Sequence, residues 1–478
     1  MSAGRKGEGA LAIVLHTHMP YVEGFGTWPF GEEWLWEASV GCYLPLLDLL
    51  DTGVPVTVSL TPVLCDQLEA SGLRERFVEF VENVRRDTHA DDAAGMRAAG
   101  HEELAAELDR SWGDYTAALG ALERRGGDLL GAFPAHADWT SAATHAVLPL
   151  LATDAGVHAQ VRTGADAHRR RFGEWGGGFW LPECAYAPWL GPLLEREGVG
   201  RSCVELTNRF GIGAREHLRP LVDDSGVVLV PIDRRTISLV WSDAGYPAAG
   251  AYRDYHHHTV HHHTPWSNDG RAYDRERALA QVRADAADFV ARTAARLQDA
   301  GGEGPPLPGD GLVVCALDTE LLGHWWYEGV AWLEAVVEEC SRQGVALVRL
   351  DEASAMADPA SVSTEGWEEC SWGLGGDLST WSGPPVAEMA WLARRAELDL
   401  LVAGGRAGAA ALRELLALQS SDWAFMVSRE VSVPYARERF AGHRERLQAA
   451  LGGASAASAG AALRNLAPHA DPAVLREP

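Results

Sequence analysis

The chain has 478 residues, of which 47% are hydrophobic and 23% are charged, so it can bury a large core and lacks the composition of a disordered protein. Its 67 acidic residues outnumber its 41 basic residues, the formal net charge is -26, and no dense Lys/Arg cluster stands out. This balance argues against nucleic-acid binding, because affinity for the phosphate backbone comes from cationic side chains that replace counterions.

The N-terminal segment and the cysteines predict a cytoplasmic protein. The apolar run that starts at Leu11 is interrupted by His16, too early for a signal peptide, and no run approaches the roughly 18 apolar residues of a membrane span. The cysteines have no paired spacing and stand at positions 42, 65, 184, 203, 315, 340 and 370. We therefore expect reduced, mostly buried thiols, with no disulfide framework and no zinc knuckle.

Eight short apolar runs alternate with helix-like segments along the chain. They cover residues 11–16, 54–60, 131–135, 178–183, 201–206, 227–232, 312–317 and 346–351. Because these runs are apolar on both faces, they predict parallel strands of an α/β fold rather than a half-exposed antiparallel sheet. Seven or eight such strands indicate a barrel.

Two regions do not follow this alternation. Residues 64–130 have helical spacing and are far longer than a normal connection, which predicts a helical insertion. Residues 388–402, 408–418 and 435–451 predict helices with no strand between them, hence a helical C-terminal domain. The predicted division is a disordered N-terminus over 1–9, a catalytic barrel over 10–365 with a loop at about 240–270, a helical domain over 366–452 and a tail over 453–478.

Three of the predicted strands end in side chains suited to catalysis. The first ends in His16 and His18, which share one face of an extended chain, the fourth ends in Glu183, and the seventh ends in Asp318. Catalytic groups of a parallel barrel stand at these carboxyl ends. Two carboxylates with aromatic rings nearby are what glycoside cleavage needs, and apolar surroundings can raise the pKa of one of them. The sequence does not assign the two roles.

The same residues fit other interpretations. An acid at a strand end also serves as a helix cap or an ion-pair partner, and the paired tryptophans at 325 and 326 also fit core packing. A zinc-dependent amidohydrolase would take its metal ligands from His16, His18, His145, His324 and Asp318. Spacing alone leaves glycoside chemistry and metal-dependent hydrolysis equally open.

Five stretches together resemble glycoside hydrolase family 57. In chain order they are VLHTHMPYV, ATHAVLPLL, HRRRFG followed by GFWLPECAY, LDTELLGHWWYEG and SSDWAFM. They look most like the 1,4-α-glucan branching enzymes of that family, as does FGTWPFGEEWLWEA at 25–38. The likeness runs from about residue 10 to 450, nearly the whole chain.

The resemblance implies a (β/α)7 barrel, a distorted relative of the TIM barrel, with a helical insertion and an all-α C-terminal domain that helps to form the cleft. It implies a retaining mechanism without metal or cofactor, in which Glu183 is the nucleophile and Asp318 the general acid/base. The expected activity is cleavage of an α-1,4 glucan, such as amylose or a glycogen-like polysaccharide, and transfer to a 6-hydroxyl. The alternatives are a family amylase or 4-α-glucanotransferase, the amidohydrolase, and a glucan-binding relative without turnover.

The resemblance also implies residues that contact the glucan. His16, His18 and His145 would line the sugar subsite at the cleaved bond. The candidate stacking platforms are Trp28, Trp266, Trp325, Trp372 and Trp381. The segment SDAGYPAAGAYRDY at 242–255 matches the position of a tyrosine-bearing loop of the family, which makes Tyr246 the expected shield against water.

Two segments depart from the pattern of the family. Six histidines, at 256–258 and 261–263, have no accompanying cysteine, and a solvated loop on the acceptor side is favoured over a metal site. Ala137 stands where the family usually has a glutamate. Because both catalytic carboxylates remain, we expect an active enzyme.

Overall fold

A computed structural model describes residues 9–24, 31–299, 311–356, 359–404, 408–452 and 463–476. The predicted disorder at 1–9 and the glucan platform predicted at Trp28 fall, apart from Gly9, outside the described residues. The strands are β1 Ala10–Thr17, β2 Thr57–Leu60, β3 Thr140–Ser141, β4 Phe179–Trp180, β5 Arg201–Val204, β6 Leu221–Val222, β7 Val228–Pro231, β8 Leu312–Asp318, β9 Ala346–Leu347 and β10 Ala360–Ser361.

Seven of these strands close into a barrel in the order β1-β2-β3-β4-β5-β7-β8. Parallel pairing joins β1 to β2 and to β8, β3 to β4, and β5 to β7. Isolated parallel bridges join Ser59 to Trp139 and Gly178 to Arg201. The ring is completed after β7, where the amide of Asp233 donates to the carbonyl of Val314 at 2.9 Å. The short strands β6, β9 and β10 lie outside this ring, and the predicted (β/α)7 fold is confirmed.

The third barrel strand is not where the apolar pattern placed it. Residues 131–135 were predicted as a strand, but Leu130–Ala132 form a 3-10 turn, and Pro134 has no N–H to donate to a ladder. The strand is instead the polar pair Thr140–Ser141. Both side chains are buried, and the hydroxyl of Ser141 donates to the carbonyl of Trp180 at 2.8 Å. A polar strand whose hydroxyls are satisfied inside the barrel leaves no apolar pattern to detect.

Helices surround the barrel and extend beyond it. They are α1 Glu32–Ala38, α2 Leu44–Leu50, α3 Pro62–Leu68, α4 Leu73–Glu79, α5 Arg86–Ala98, α6 Glu102–Arg124, α7 Asp154–Phe172, α8 Gly191–Arg196, α9 Thr207–Phe210, α10 Arg234–Val240, α11 Arg275–Gln298, α12 Gly329–Gln343, α13 Leu350–Met356, α14 Ser379–Ser382, α15 Ala387–Ala403, α16 Ala409–Leu418, α17 Ser421–Ser428 and α18 Val433–Leu451. A π-helical turn, Ser39–Tyr43, joins α1 to α2. Among the described residues, no helix is both long and apolar enough to cross a bilayer.

The C-terminal helices share a core with the barrel segments next to the strand ends. Their apolar side chains, among them Leu415 and Trp423, form one buried cluster with Tyr21, Val63 and Ala143. The chain also pairs across this contact, because the amide of Ser421 donates to the carbonyl of His145 at 3.1 Å. The start of α17 is thereby held against the loop that follows β3.

Candidate active site

The two predicted carboxylates lie at the same end of the barrel. Asp318 is the last residue of β8 and stands opposite His16 in the register of β1 and β8. Glu183 lies in the 3-10 turn Pro182–Cys184 that follows β4. Because parallel strands put their carboxyl ends on one face of a barrel, side chains from distant parts of the chain meet there.

The backbone around Glu183 adopts a conformation that side chains normally avoid. The φ angles are 63° at Glu183, 50° at Cys184 and 58° at His145, all in the left-handed region. Such a conformation costs on the order of 1–3 kcal/mol per residue and persists only where the surroundings impose it. Here the carbonyl of Glu183 accepts from the amide of Trp372 at 2.9 Å. The positive φ angles at Glu183 and Cys184 make the chain turn sharply just after the buried Leu181 and Pro182.

Glu183 is 9% exposed, and the indole of Trp372 is a close donor to its carboxylate. Trp372 Nε1 donates to its Oε2 at 2.8 Å, and His145 Nδ1 lies 3.7 Å from its Oε1. Burial raises the pKa of Glu183 to about 7, and the charges of Asp318 and Asp422 add to the rise, while hydrogen bonds from Trp372 and Ser421 oppose it. Glu183 is therefore poised between its ionised and protonated forms near neutral pH.

Two more acids share this environment. Burial raises the pKa of Asp318 to about 7, with the charges of Glu320 and Asp422 adding to the effect and His18 opposing it. Burial also raises the pKa of Glu320 to about 7, although the Tyr43 hydroxyl donates to its Oε1 at 2.7 Å. Because like charges in one low-dielectric site do not ionise independently, one acid of the group stays protonated near neutral pH.

The three predicted histidines form a stack beside these acids. The ring of His16 lies on Trp180 with centroids 4.4 Å apart, and the rings of His18 and His145 stack at 4.1 Å. Burial lowers the pKa of His16 and of His145 well below the usual value, and the charge of His18 adds to both shifts. Both rings are therefore neutral at pH 7 and hold their positions through hydrogen bonds.

His18 differs from the other two rings of the stack because its pKa is raised. Burial lowers its pKa, but Asp422, whose Oδ1 lies 3.0 Å from His18 Nε2, more than offsets this effect, and the net pKa is raised. The carboxylates Glu320 and Glu183 act in the same direction. A cation at this position offsets part of the repulsion among the acids.

Three of the four histidines in the amidohydrolase interpretation, His16, His18 and His145, have ring nitrogens in contact with other side chains. His16 Nε2 and His145 Nε2 lie 2.9 Å apart, and His145 Nδ1 lies 2.8 Å from the Ser421 hydroxyl. Within the described ranges, no group of three or more His, Cys, Asp or Glu side chains is arranged to hold a metal ion.

The four predicted aromatic platforms that the structure describes lie in four different environments. Trp372 belongs to the site, since its indole contacts Glu183 and stands edge-on to Trp180. Trp325 is 39% exposed and lies 5.6 Å from Trp241, centroid to centroid. Trp266 stacks on His257 at 3.8 Å, so one face of its ring is already covered. The prediction for Trp381 is wrong: its ring is 2% exposed and packs in a core with Val147, Ala185 and Leu378, with no face free for a sugar.

The prediction of Tyr246 as a shield is also wrong. Its hydroxyl donates to Asp288 Oδ2 on α11 at 2.8 Å, and its ring lies 6.4 Å from that of Trp332 on α12. These contacts fix Tyr246 against the outer helices of the barrel. The exposed tyrosine of the same segment is Tyr255, which lies 6.1 Å from His324, centroid to centroid.

The histidine-rich segment is attached to the insertion through an acid that sequence inspection did not identify. Asp92 on α5 accepts from His261 Nδ1 at 2.8 Å, from His263 Nδ1 at 2.7 Å and from the Thr259 hydroxyl. His256, His257 and His258 are exposed. The segment thus has one anchored half and one solvated half.

Ala137 lies at the amino end of β3, away from the acids. Its neighbour Asp138 pairs with Arg349, and Asp138 Oδ2 accepts from the Val58 amide at 3.0 Å. The catalytic end of β3 is the other one, where His145 follows. An alanine at 137 therefore removes no group from the site.

Four contributors to the site had no predicted role: Tyr43, Glu320, Ser421 and Asp422. Glu320 lies two residues beyond Asp318, and Asp422 lies in the SSDW stretch, so a search for acids in the recurring stretches would have found both. Ser421 lies in the same SSDW stretch but is not an acid, and Tyr43 lies outside the quoted stretches. Their contacts arise only when the π-helical turn Ser39–Tyr43 and α17 pack on the barrel.

Comparison with known proteins agrees with this geometry. The model of glycosyl hydrolase family 57 matches residues 139–364, and that of the 1,4-alpha-glucan branching enzyme C-terminal domain matches residues 386–469. A 1,4-alpha-glucan branching enzyme of Thermococcus kodakarensis is 31% identical over 90% of this chain and 72% of its own. A probable 1,4-alpha-glucan branching enzyme of Mycobacterium tuberculosis is 32% identical over 90% of this chain and 89% of its own.

Solved structures give the same result. The crystal structure of a family 57 branching enzyme from Pyrococcus horikoshii superposes with a TM-score of 0.87 at 29% identity, covering 98% of this chain and 96% of the other. The α-amylase AmyC of Thermotoga maritima shares the fold, with a TM-score of 0.80 at 22% identity over 99% of this chain and 100% of its own. The chain therefore belongs to glycosyl hydrolase family 57 and carries the C-terminal domain of its branching enzymes.

Proposed function

We propose that this protein is a 1,4-α-glucan branching enzyme that uses Glu183 as nucleophile and Asp318 as general acid/base. The observation that supports these roles best is the pairing of two carboxylates at one end of the barrel, each with its pKa raised to about 7 by burial. A retaining glycosidase needs one ionised and one protonated carboxyl group at the start of the reaction. Two curated relatives that match 90% of this chain at 31% and 32% identity are named as branching enzymes, which supports transfer rather than hydrolysis.

In the first step the Glu183 carboxylate attacks the anomeric carbon, and the bond from that carbon to the glycosidic oxygen breaks. Asp318 gives its proton to the departing oxygen, and a β-linked glucosyl ester forms on Glu183. In the second step the 6-hydroxyl of another chain attacks the anomeric carbon and gives its proton to Asp318. The ester breaks, Glu183 regains its carboxylate, and an α-1,6 bond results after two inversions.

The surrounding residues prepare the two acids. The Trp372 indole stabilises the ionised form of Glu183, and His18, held by Asp422, places a positive charge near the carboxylates. His16, His18 and His145 line the subsite of the glucosyl unit that is transferred. Half-exposed rings such as Trp325 and Trp372 provide the flat surfaces on which sugar faces stack.

We also propose that the protein acts in the cytoplasm on amylose or a glycogen-like glucan. All seven cysteines are free and buried, which suits a reducing compartment. The proposed division is a catalytic barrel over 10–365, with a helical insertion at about 64–130, and a helical domain over 366–452 that supplies Ser421 and Asp422 to the cleft.

The activity is tested by incubating the purified protein with amylose and counting reducing ends before and after a debranching enzyme is added. A branching enzyme produces few new reducing ends until α-1,6 bonds are cut. A rise before debranching, with none added afterwards, would identify a hydrolase of the amylase type. EDTA should leave the result unchanged, whereas a metal-dependent hydrolase would lose its activity.

The pH dependence of kcat/KM should be bell-shaped with its maximum near pH 7, where burial places the pKa of both acids. Below this pH Glu183 takes up a proton and cannot attack, and above it Asp318 loses the proton that it must donate. Carboxyl groups with ordinary pKa values would give a maximum near about pH 4. A maximum near that acidic pH would contradict the raised pKa values of Glu183 and Asp318.

Trp372→Phe is expected to move the acidic limb of this profile to higher pH. The substitution keeps a ring beside Trp180 but removes the N–H that donates to Glu183, and losing a donor to the charged form raises the pKa of the acid. Activity at neutral pH should fall about tenfold, the usual effect of one hydrogen bond to a charged group.

The matched control for this substitution is Trp381→Phe. Trp381 is buried, and its Nε1 has no hydrogen-bond partner among the described residues. This variant should keep the pH profile of the parent. An acidic limb that is the same in Trp372→Phe and in the parent would show that the indole does not tune Glu183.

A further inference from the structure

A large groove lies beside the candidate active site and is separate from it. It has a volume of about 910 Å³ and runs between α2, α6 and α12 under the segment 253–264. Glu33, Glu37, Tyr115, Tyr255, His324 and Trp325 are among the residues that line it. Glu183, Asp318 and the three stacked histidines do not. A cavity of this size is at the upper end of the range for small-molecule sites and exceeds the needs of one monosaccharide.

The groove and the active site share a wall. The π-helical turn Ser39–Tyr43 faces the acids through Tyr43, whose hydroxyl donates to Glu320, and lines the groove through Val40 and Gly41. On the other side, the loop after Asp318 reaches the groove at His324. The two backbones touch, because a Cβ at Gly41 would lie 2.7 Å from the carbonyl oxygen of Gly323. The groove and the acids therefore lie on opposite sides of one layer of backbone.

Inside the groove, a buried carboxyl group lacks a partner. Glu33 is 5% exposed, and its Oε2 makes no hydrogen bond within the described structure, whereas its Oε1 lies 3.2 Å from Arg85. Its neighbour Glu37 is fully engaged, since Tyr115 donates to Oε2 at 2.7 Å and Arg85 Nε donates to Oε1. A buried polar atom without a partner is costly unless a ligand or water completes it. Burial also raises the pKa of Glu33 to about 8, so at neutral pH this group offers an O–H to a ligand oxygen.

The mouth of the groove carries exposed rings. Tyr255 is 43% exposed and Trp325 is 39% exposed. Both rings contact His324, with centroid distances of 6.1 and 5.9 Å. The lining carries charges of both signs: acids such as Glu37, Asp48 and Glu334, and the arginines Arg85, Arg124, Arg253 and Arg275. Such mixed walls do not select for an ionic ligand, and their many donors and acceptors suit a neutral ligand rich in hydroxyl groups.

We propose that this groove binds a segment of an α-1,4-glucan chain several glucosyl units away from the bond that reacts. The exposed rings of Tyr255 and Trp325 stack on sugar faces at the entrance, and Glu33 binds a sugar oxygen further inside. The proposal rests on the proposed function for the identity of the polymer, but binding in the groove does not require turnover.

The test uses the full chain carrying Glu183→Gln, which removes turnover. Calorimetric titrations compare a long linear malto-oligosaccharide, which can span the active site and the groove, with maltotriose, which is too short to span both. Tyr255→Ala removes a ring at the entrance, and Ala117→Trp adds a bulky side chain to the groove from the exposed face of α6. Trp391→Ala is the control, because Trp391 is 71% exposed on α15, outside the groove.

Tyr255→Ala and Ala117→Trp should each weaken binding of the long ligand about tenfold and leave maltotriose affinity within about twofold of the parent, while Trp391→Ala changes neither. Unchanged affinity for the long ligand in both groove variants would overturn the proposal. An equal loss for both ligands would also overturn it, because the ring would then belong to the active-site cleft. If the parent chain made no branches but the groove variants showed these binding differences, the proposed function would be refuted. The proposal that the groove binds glucan would still hold.

Discussion

Glu183→Gln is expected to lower the rate of α-1,4 bond cleavage by about ten-thousand-fold or more, because an amide cannot form the covalent glucosyl ester. The substitution preserves the size of the side chain, and a carbonyl oxygen can still accept from Trp372 Nε1. Binding of glucan should therefore remain close to that of the parent. The initial rate on amylose and the affinity for a linear malto-oligosaccharide measure the two effects separately.

A suitable control for Glu183→Gln is Glu397→Gln. Glu397 is also a buried glutamate, but it accepts from Thr153 and from the amide of Ala152 in the contact between the helical domain and the barrel. Its change should affect stability more than the rate per folded molecule. If Glu183→Gln kept more than about a hundredth of the parent rate, Glu183 would not be the nucleophile.

Asp318→Ala is expected to lower the rate on amylose about a thousandfold, because the leaving oxygen then departs without a proton. The loss in the first step should largely disappear with α-glucosyl fluoride, since fluoride leaves without protonation. Added azide should then restore turnover by attacking the glucosyl ester on Glu183, where it needs no general base. The product should be the α-azide, because two inversions retain the configuration.

The stereochemistry of the azide product separates the two acids. If Asp318 were the nucleophile, its removal would open space for azide to attack directly, and a single inversion would give the β-azide. Absence of rescue by azide, together with equal losses on amylose and on the fluoride, would show that Asp318 does not act on the leaving group. Nuclear magnetic resonance of the product distinguishes the two anomers.

The parts of the fold that could be predicted from the sequence are those in which apolar residues form a regular local pattern. The strands β1, β4 and β8 are apolar, and His16, Glu183 and Asp318 lie at or just after their carboxyl ends. The apolar pattern therefore predicted one end of the barrel together with its acids. The third strand was not predicted at its actual position, because Thr140 and Ser141 bury hydroxyl groups instead of apolar side chains. Pattern analysis detects burial only where burial is apolar.

The contacts that tune the site could not be predicted from local sequence. Ser421 and Asp422 reach His145 and His18 from more than 200 residues away, and only the packing of α17 on the barrel brings them there. The left-handed backbone conformation of Glu183 could not be predicted from the sequence either, because neighbouring residues impose it and glutamate does not prefer it. Resemblance to a family located the acids but misplaced Tyr246 and Trp381, whose positions depend on contacts with α11 and with a small apolar core.

The covalent step on Glu183 can be observed by trapping its product. Asp318→Ala would be incubated with α-glucosyl fluoride, quenched with acid, digested and analysed by mass spectrometry. We expect one glucosyl group on the peptide that contains residues 179–186, attached at Glu183, and none when Glu183 is also changed to Gln. A glucosyl group on any other residue, or a product formed with no adduct in either variant, would contradict the role of Glu183 as nucleophile.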